Sequence, residues 1–403
     1  MLYRTILLKQ CRVARSAKIV LKRNIKSPRA SAYRAGLAIS VLLLFLQCQR
    51  ILWKEPPKRE PIREWPEVRL IFAGDTHFMW GVEELQKAKG LVDPVEALTP
   101  FFAEADFRAL NLETTISKRA LPMKNKAHVF RSDPEVLATL QALKVDLAIL
   151  ANNHAMDAGE EGLFDTMAAL KQAGIGYVGA GRNAREAFQS YHFERKGIRF
   201  ALLGFNAIGE GLAFSAGARP GVAPAGAEMA ALVTRARQEV DHVIVSLHWG
   251  VEYYVRPRQD QIERARRLID AGASIVVGHH PHIPQGMELY GNGLIFYSLG
   301  NFLFGSVNQQ QEHNIIFRID FSPENKRPER LVLRAINGRY RERGHRIEFL
   351  SMADSRPFWA EFLQQSAELS PVLKERLKLT PQGMEITWEG AVKDRESRGL
   401  PVP

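Results

Sequence analysis

From Val68 onward, short apolar runs rich in β-branched and aromatic residues alternate with amphipathic stretches, the pattern of a layered α/β domain. The runs that predict strands are 68–75 (VRLIFAGD), 107–113 (FRALNLE), 146–154 (DLAILANNH), 199–206 (RFALLGFN), 242–250 (HVIVSLHWG), 274–280 (SIVVGHH), 294–302 (LIFYSLGNF) and 314–321 (NIIFRIDF). Helical spacing falls between them at Pro134–Leu143, Gly159–Ala173 and Arg258–Ala271, the last followed by Gly272 as a helix stop. This predicts one folded domain over residues 68–321. Residues 322–403 carry one strand-like run (331–336), one helical run (359–369) and no polar cluster, and read as an appendage of the same domain.

Upstream the pattern is different. Ala35–Leu46 is an unbroken apolar run of twelve residues, shorter than the ~20 that a helical span needs. Tyr33, Trp53 and snorkelling Arg34, Arg50 and Lys54 extend its effective length. Ten basic residues and no acid lie in 1–34, so the tail accounts for nearly all of the net charge of +11. That asymmetry predicts a basic cytoplasmic tail (1–34), a single-pass signal anchor (35–53) and an extracytoplasmic C-terminal domain at the cell membrane. A cleaved signal peptide and a buried core helix are the alternatives, although no small-x-small cleavage site follows Leu46. Residues 54–67, with four prolines among charges, read as an extended linker. The remaining, nearly neutral chain argues against a nucleic-acid groove. Both cysteines, Cys11 and Cys48, lie before the folded part, which excludes disulfides and thiolate chemistry there.

Candidate chemistry sits at the carboxyl ends of five predicted strands: Asp75 and His77, Asn111 and Glu113, Asn152 to His154, His248 with Glu252, and His279, His280 and His282. Ligands of open α/β sheets bind outside those strand ends, so five clusters imply one site. Carboxylate, imidazole and amide oxygens without sulfur suit zinc, manganese or iron. Taken singly, each residue has a plainer role: His248 as a core histidine, Asn152 and Asn153 as a strand-ending turn, Asp157 as a helix start, Asn301 as a turn after a strand. The basic residues Lys118, Arg119, Lys124, Lys126 and Arg131 share one long connection. Among them Lys124 and Arg131 are candidates to meet an anionic substrate, with a solvated charge run as the plain alternative.

The motifs GDTHFMWG (74–81), NLE (111–113), ANNHAMDAGEEGL (151–163), HWGVE (248–252), GHHPH (278–282) and YSLGNF (297–302), in this order over about residues 68–320, resemble the poly-gamma-glutamate capsule-synthesis (CapA) family of the calcineurin-like metallophosphoesterase superfamily. The resemblance implies an α/β/β/α sandwich holding two divalent ions (Zn, Mn or Fe). It implies Asp75, His77 and His282 on one ion, Asn153, His248 and His280 on the other, and a bridging carboxylate. Glu113 takes that last role where the superfamily has GDxxD. His154 is implied as general acid, with Asp157 beside it. His279 in place of His280, Glu252 and Asn301 are further candidates for metal or substrate contact, with Glu252 equally a partner that holds an imidazole. The function implied is a metal-dependent hydrolase or transferase in synthesis, export or attachment of an anionic envelope polymer such as poly-gamma-glutamate, in contact with a membrane synthase complex. A non-catalytic accessory subunit that binds the polymer or its synthase is the rival.

Overall fold

The computed structural model describes residues 66–388, apart from 123–125, 127, 210, 306–311 and 339–342. The predicted tail, anchor and most of the linker therefore lie outside the described residues, as does Lys124. Among the described residues no helix is long and apolar enough to cross a membrane.

Two sheets face each other. The first contains β1 (Val68–Thr76), β2 (Phe107–Leu112), β3 (Leu147–Ile149), β4 (Gly176–Val178), β11 (Asn301–Leu303), β12 (His313–Phe321), β13 (Pro328–Asn337), β14 (Lys378–Thr380) and β15 (Gly383–Thr387). Its order is β14-β15-β13-β12-β1-β2-β3-β4, with β11 on the end of β1. The second contains β5 (Tyr191–Arg195), β6 (Ile198–Asn206), β7 (His242–His248), β8 (Ile275–His279), β9 (Pro284–Tyr290) and β10 (Gly293–Leu299), in the order β9-β10-β8-β7-β6-β5. The pairs β1/β2, β2/β3 and β3/β4 in the first sheet, and β6/β7, β7/β8 and β8/β10 in the second, are parallel.

The period of two along each strand divides the core into layers. Leu70, Phe72, Ala109 and Leu147 face Phe200, Ile244, Ile275 and Phe296 between the sheets, where Phe317 stacks on Phe72 and Phe296 at 5.0 and 4.2 Å. Ile71, Ala73 and Leu110 point the other way, against Val82 of α1 (Gly81–Lys89) and Leu163, Met167 and Leu170 of α2 (Gly159–Gln172). Val243, Val245 and Ile295 meet Val233 of α3 (Met229–Glu239) and Leu268 of α4 (Gln259–Asp270). The result is an α/β/β/α sandwich. Residues past 321 are built into it: β13 and β15 extend the first sheet, and α5 (Met352–Leu369) lies on β9 with Ser366 accepting from the Met287 N–H at 3.0 Å.

Five predicted strands stop early, 107–113 at Leu112 and 242–250 at His248 among them, and three do so for a clear local reason. After β3 the Asn152 side chain accepts from the His154 N–H at 3.1 Å, which turns the chain into a tight loop instead of a strand to 154. β8 ends at His279 because His280 and His282 take φ values of 96° and 60°. The run 294–302 breaks at Gly300 (φ 73°): β10 belongs to the second sheet and β11 to the first. Gly300 passes against Gly74, where a Cβ would lie 2.0 Å from the Gly300 carbonyl oxygen. That approach permits the Asp75 N–H to bond Gly300 O at 3.0 Å and sets Asp75 opposite Asn301. Gly74→Ala must push the Gly300–Asn301 backbone away from β1 at this point. It is expected to cost about 3 kcal/mol or more in urea denaturation, in the range of overpacked core sites; a loss below ~1 kcal/mol would show that the approach is not tight.

Candidate metal centre

The parallel strands of both sheets end at one place, and their terminal residues converge there. Asp75, fully buried, accepts from Asn111 Nδ2 on Oδ1 at 2.8 Å and from the His280 N–H on Oδ2 at 3.1 Å. Its oxygens also lie 3.3 Å from His279 Nδ1 and 3.3 Å from His282 Nδ1. Burial pushes this carboxyl up, but the two imidazoles outweigh it and hold Asp75 well below the usual carboxylate range. Asn111 is itself held by Asn152 Nδ2 at 3.0 Å, so the amides of β2 and of the loop after β3 form a scaffold under the carboxylate.

Glu113 is different. It is fully buried, and neither carboxylate oxygen has a hydrogen-bond donor. Burial, then the Asp75 charge, pushes its carboxyl well above the ordinary range. Around it, one ligand atom each from Glu113, His280 and His282 lie within 4.8 Å of one another, and so do atoms from Asp75, Glu113 and His248. The two groups share Glu113. His280 Nδ1 is also buried without a partner. His282 Nδ1 faces Asn301 Oδ1 at 2.9 Å and Asp75, which leaves its Nε2 as the ligand nitrogen. Against the pull of burial, Glu113 and Asp75 hold the His282 imidazole up at about 9, whereas burial and His282 push His280 down to about 3. Orphaned buried carboxylate oxygens beside unpartnered imidazole nitrogens are costly without a cation and fit a divalent one.

The structure places the remaining candidates unequally. His248 lies 2.8 Å from Asn153 Oδ1 and 3.6 Å from Glu113. Asn301 is buried behind His282, while Glu252 is exposed and contributes to the field on Glu113. His279 lies against Asp75, and His280 joins Glu113 and His282. His77, implied as a ligand, is in neither group. Its Nδ1 accepts the Met79 N–H at 3.1 Å, and its Nε2 is buried without a hydrogen-bond partner. The ring packs instead against Phe304 at 3.8 Å. Arg131 is also turned away from the site: its guanidinium donates to the carbonyls of Lys118 and Ala120, both at 3.2 Å.

Beside Glu113 stands a second unit. His154 Nε2 is 3.9 Å from Glu113 Oε1, and its Nδ1 meets Asp157 Oδ2 at 2.6 Å. Asp157 also accepts from the Phe130 N–H at 2.6 Å and from Lys126, whose ammonium reaches the Asn153 carbonyl at 2.6 Å. Phe130 stacks flat on His154, centroids 3.9 Å apart. Burial lowers the His154 pKa and Asp157 opposes that shift. Sequence reading named Lys126 only as one cation of its loop. Its contact with Asp157, 31 residues away, has no local signal.

An α/β/β/α sandwich with buried imidazoles and carboxylates at the shared carboxyl ends of its parallel strands defines a protein with a candidate metal centre. Residues 69–306 match the family described as bacterial capsule synthesis protein PGA_cap, and the chain belongs to that family. It is similar to the PGA biosynthesis protein CapA of Bacillus subtilis (strain 168), 31% identical over 272 residues, 66% of this chain and 71% of that one. To the capsule biosynthesis protein CapA of Bacillus anthracis it is 30% identical over 293 residues, 71% of each chain. Among solved structures it is similar to a putative 5'-nucleotidase from Staphylococcus aureus in complex with alpha-ketoglutarate, with a TM-score of 0.44, 11% identity, and coverage of 65% of this chain and 52% of that one.

Burial pushes the Glu113 carboxyl toward its protonated form and the neighbouring carboxylates push His282 the same way, so a divalent cation must compete with protons for this pair. Affinity for Mn2+ or Zn2+ is therefore expected to rise as pH increases from 6 toward 9. Calorimetry in buffers of different ionisation enthalpy should register proton release; affinity independent of pH across that window would contradict the assignment.

Proposed function

We propose that this member of the capsule-synthesis family is a membrane-anchored, extracytoplasmic, metal-dependent hydrolase or transferase. Its substrate class is an anionic envelope polymer such as poly-gamma-glutamate, handled beside a membrane synthase. The observation that carries the catalytic part is Glu113: a buried carboxylate without a donor, common to two ligand groups, next to an aligned His154–Asp157 pair. Asp75, Glu113, His248, His280 and His282 would hold divalent metal, Glu113 being common to both ligand groups and Asn153 lying beside His248. Such ions supply Lewis acidity toward a phosphoryl or acyl oxygen and acidify the attacking water.

The chain's own residues do the rest. Asp157 holds the Nδ1 side of His154 and so assigns proton transfer to Nε2, the nitrogen that faces Glu113. Lys126 and the Phe130 N–H fix Asp157, and the Phe130 ring fixes the imidazole plane. In its imidazolium form, with Nδ1–H on Asp157 and a proton on Nε2, His154 then delivers the Nε2 proton to the leaving group and is left neutral, while burial of the centre excludes bulk water. The anchor reading rests on the apolar run at 35–46 behind a basic tail.

With added Mn2+ or Zn2+, the purified chain should hydrolyse p-nitrophenyl phosphate or a γ-glutamyl p-nitroanilide. His154→Gln should lower turnover by ~100-fold or more with metal content unchanged. Retained metal with no turnover of either ester or amide in the wild type would favour the accessory-subunit reading instead.

A further inference from the structure

Trp80 is 41% exposed, and its backbone takes φ 56° and ψ −130°, a conformation that a bulky side chain adopts only under strain. A large aromatic ordinarily stabilises a fold through burial, so an exposed one on strained backbone returns little to folding. Its surroundings are those of the site. The indole stands edge-on to His77 at 4.9 Å and to Phe130 at 5.3 Å, and Phe130 is the ring stacked on His154. The exposed indole is thus one ring removed from the imidazole assigned to protonate the leaving group. Phe304, 6.3 Å from Trp80 and 3.8 Å from His77, closes the cluster.

We propose that Trp80 is the specificity-determining side chain of a leaving-group subsite, which receives the flat apolar face of a ring, a sugar or an aromatic group, attached to the reacting phosphoryl or acyl centre. The inference rests on the hydrolase reading of the adjoining centre, because that reading places the leaving group on the His154 side. Stacking on an indole accepts either kind of ring without requiring hydrogen-bond readout. Simple alkyl leaving groups gain nothing from it.

The test uses tetrahedral anions that cannot turn over: phenylphosphonate and ethylphosphonate, titrated calorimetrically into the full chain with Mn2+ present. The wild type should bind phenylphosphonate about tenfold more tightly than ethylphosphonate, a typical scale for one ring stack. Trp80→Ala should bring the ratio to within about twofold of unity without changing ethylphosphonate affinity, and Trp80→Phe should keep most of it. Trp80→Leu, which retains bulk without a flat π face, should behave like the alanine variant and serves if alanine impairs folding. Equal affinities in the wild type, or a ring preference that survives in Trp80→Ala and Trp80→Leu, would overturn the subsite. Failure of both anions to bind the metal-loaded wild type would instead overturn the hydrolase reading, and the subsite with it.

Discussion

Two carboxylates, Asp75 and Glu113, are buried completely in the same small volume, and their unequal support governs the rest of the molecule. Asp75 has an amide, a backbone N–H and two imidazoles around it. Glu113 has imidazoles nearby but no hydrogen-bond donor on either oxygen. Like charges so placed cannot both persist in an interior of low dielectric without a proton or a cation between them. The fold concentrates this cost where the two sheets touch. The close passage of Gly74 against Gly300 brings the chain from the second sheet into the first, and the strands ending there carry the imidazoles that surround Glu113. Backbone strain at His280 and His282 belongs to the same arrangement, since those turns direct consecutive histidine positions toward one point.

The His154 unit is built on the opposite principle. Every polar atom that orients the imidazole has a partner. Asn152 accepts the His154 N–H, Asp157 holds Nδ1, and Lys126 with the Phe130 N–H saturates Asp157. An orphaned centre beside a fully bonded proton carrier is the division of labour expected of metal-assisted acid–base chemistry. The loop that supplies Lys126 and Phe130 is thereby part of the centre, although it contributes no ligand. Lys118 and Arg119 of the same loop are bound elsewhere, to Glu135 and to Asp165 and Glu161.

Much of this was legible in the chain because apolar alternation marks strands and polar residues mark their ends. The clusters at Asp75, Glu113, His248 and His280 to His282 stood out for that reason. What stayed hidden depended on contacts between distant residues. LIFYSLGNF reads as one strand, and only the approach of Gly74 shows why it must change sheets at Gly300. Positions 75 and 77 share a face only while the strand stays regular. Register slips between Asp75 and Thr76, and β1 ends at Thr76, so His77 lies beyond the strand with its Nδ1 on the Met79 N–H. Lys126 and Arg131 are alike in the sequence, and the carbonyls within reach of Arg131 decide that only Lys126 turns inward.

The central claim is that a divalent cation resolves the buried charge at Glu113. Anomalous scattering from crystals of the protein grown with Mn2+ tests it most directly, with data on both sides of the manganese edge. A difference peak in contact with Glu113 and bounded by Asp75, His248, His280 and His282 is the predicted result. Full occupancy of Mn2+ elsewhere on the chain, with no peak at Glu113 and its carboxyl bonded as an acid to a neighbouring acceptor, would contradict the account.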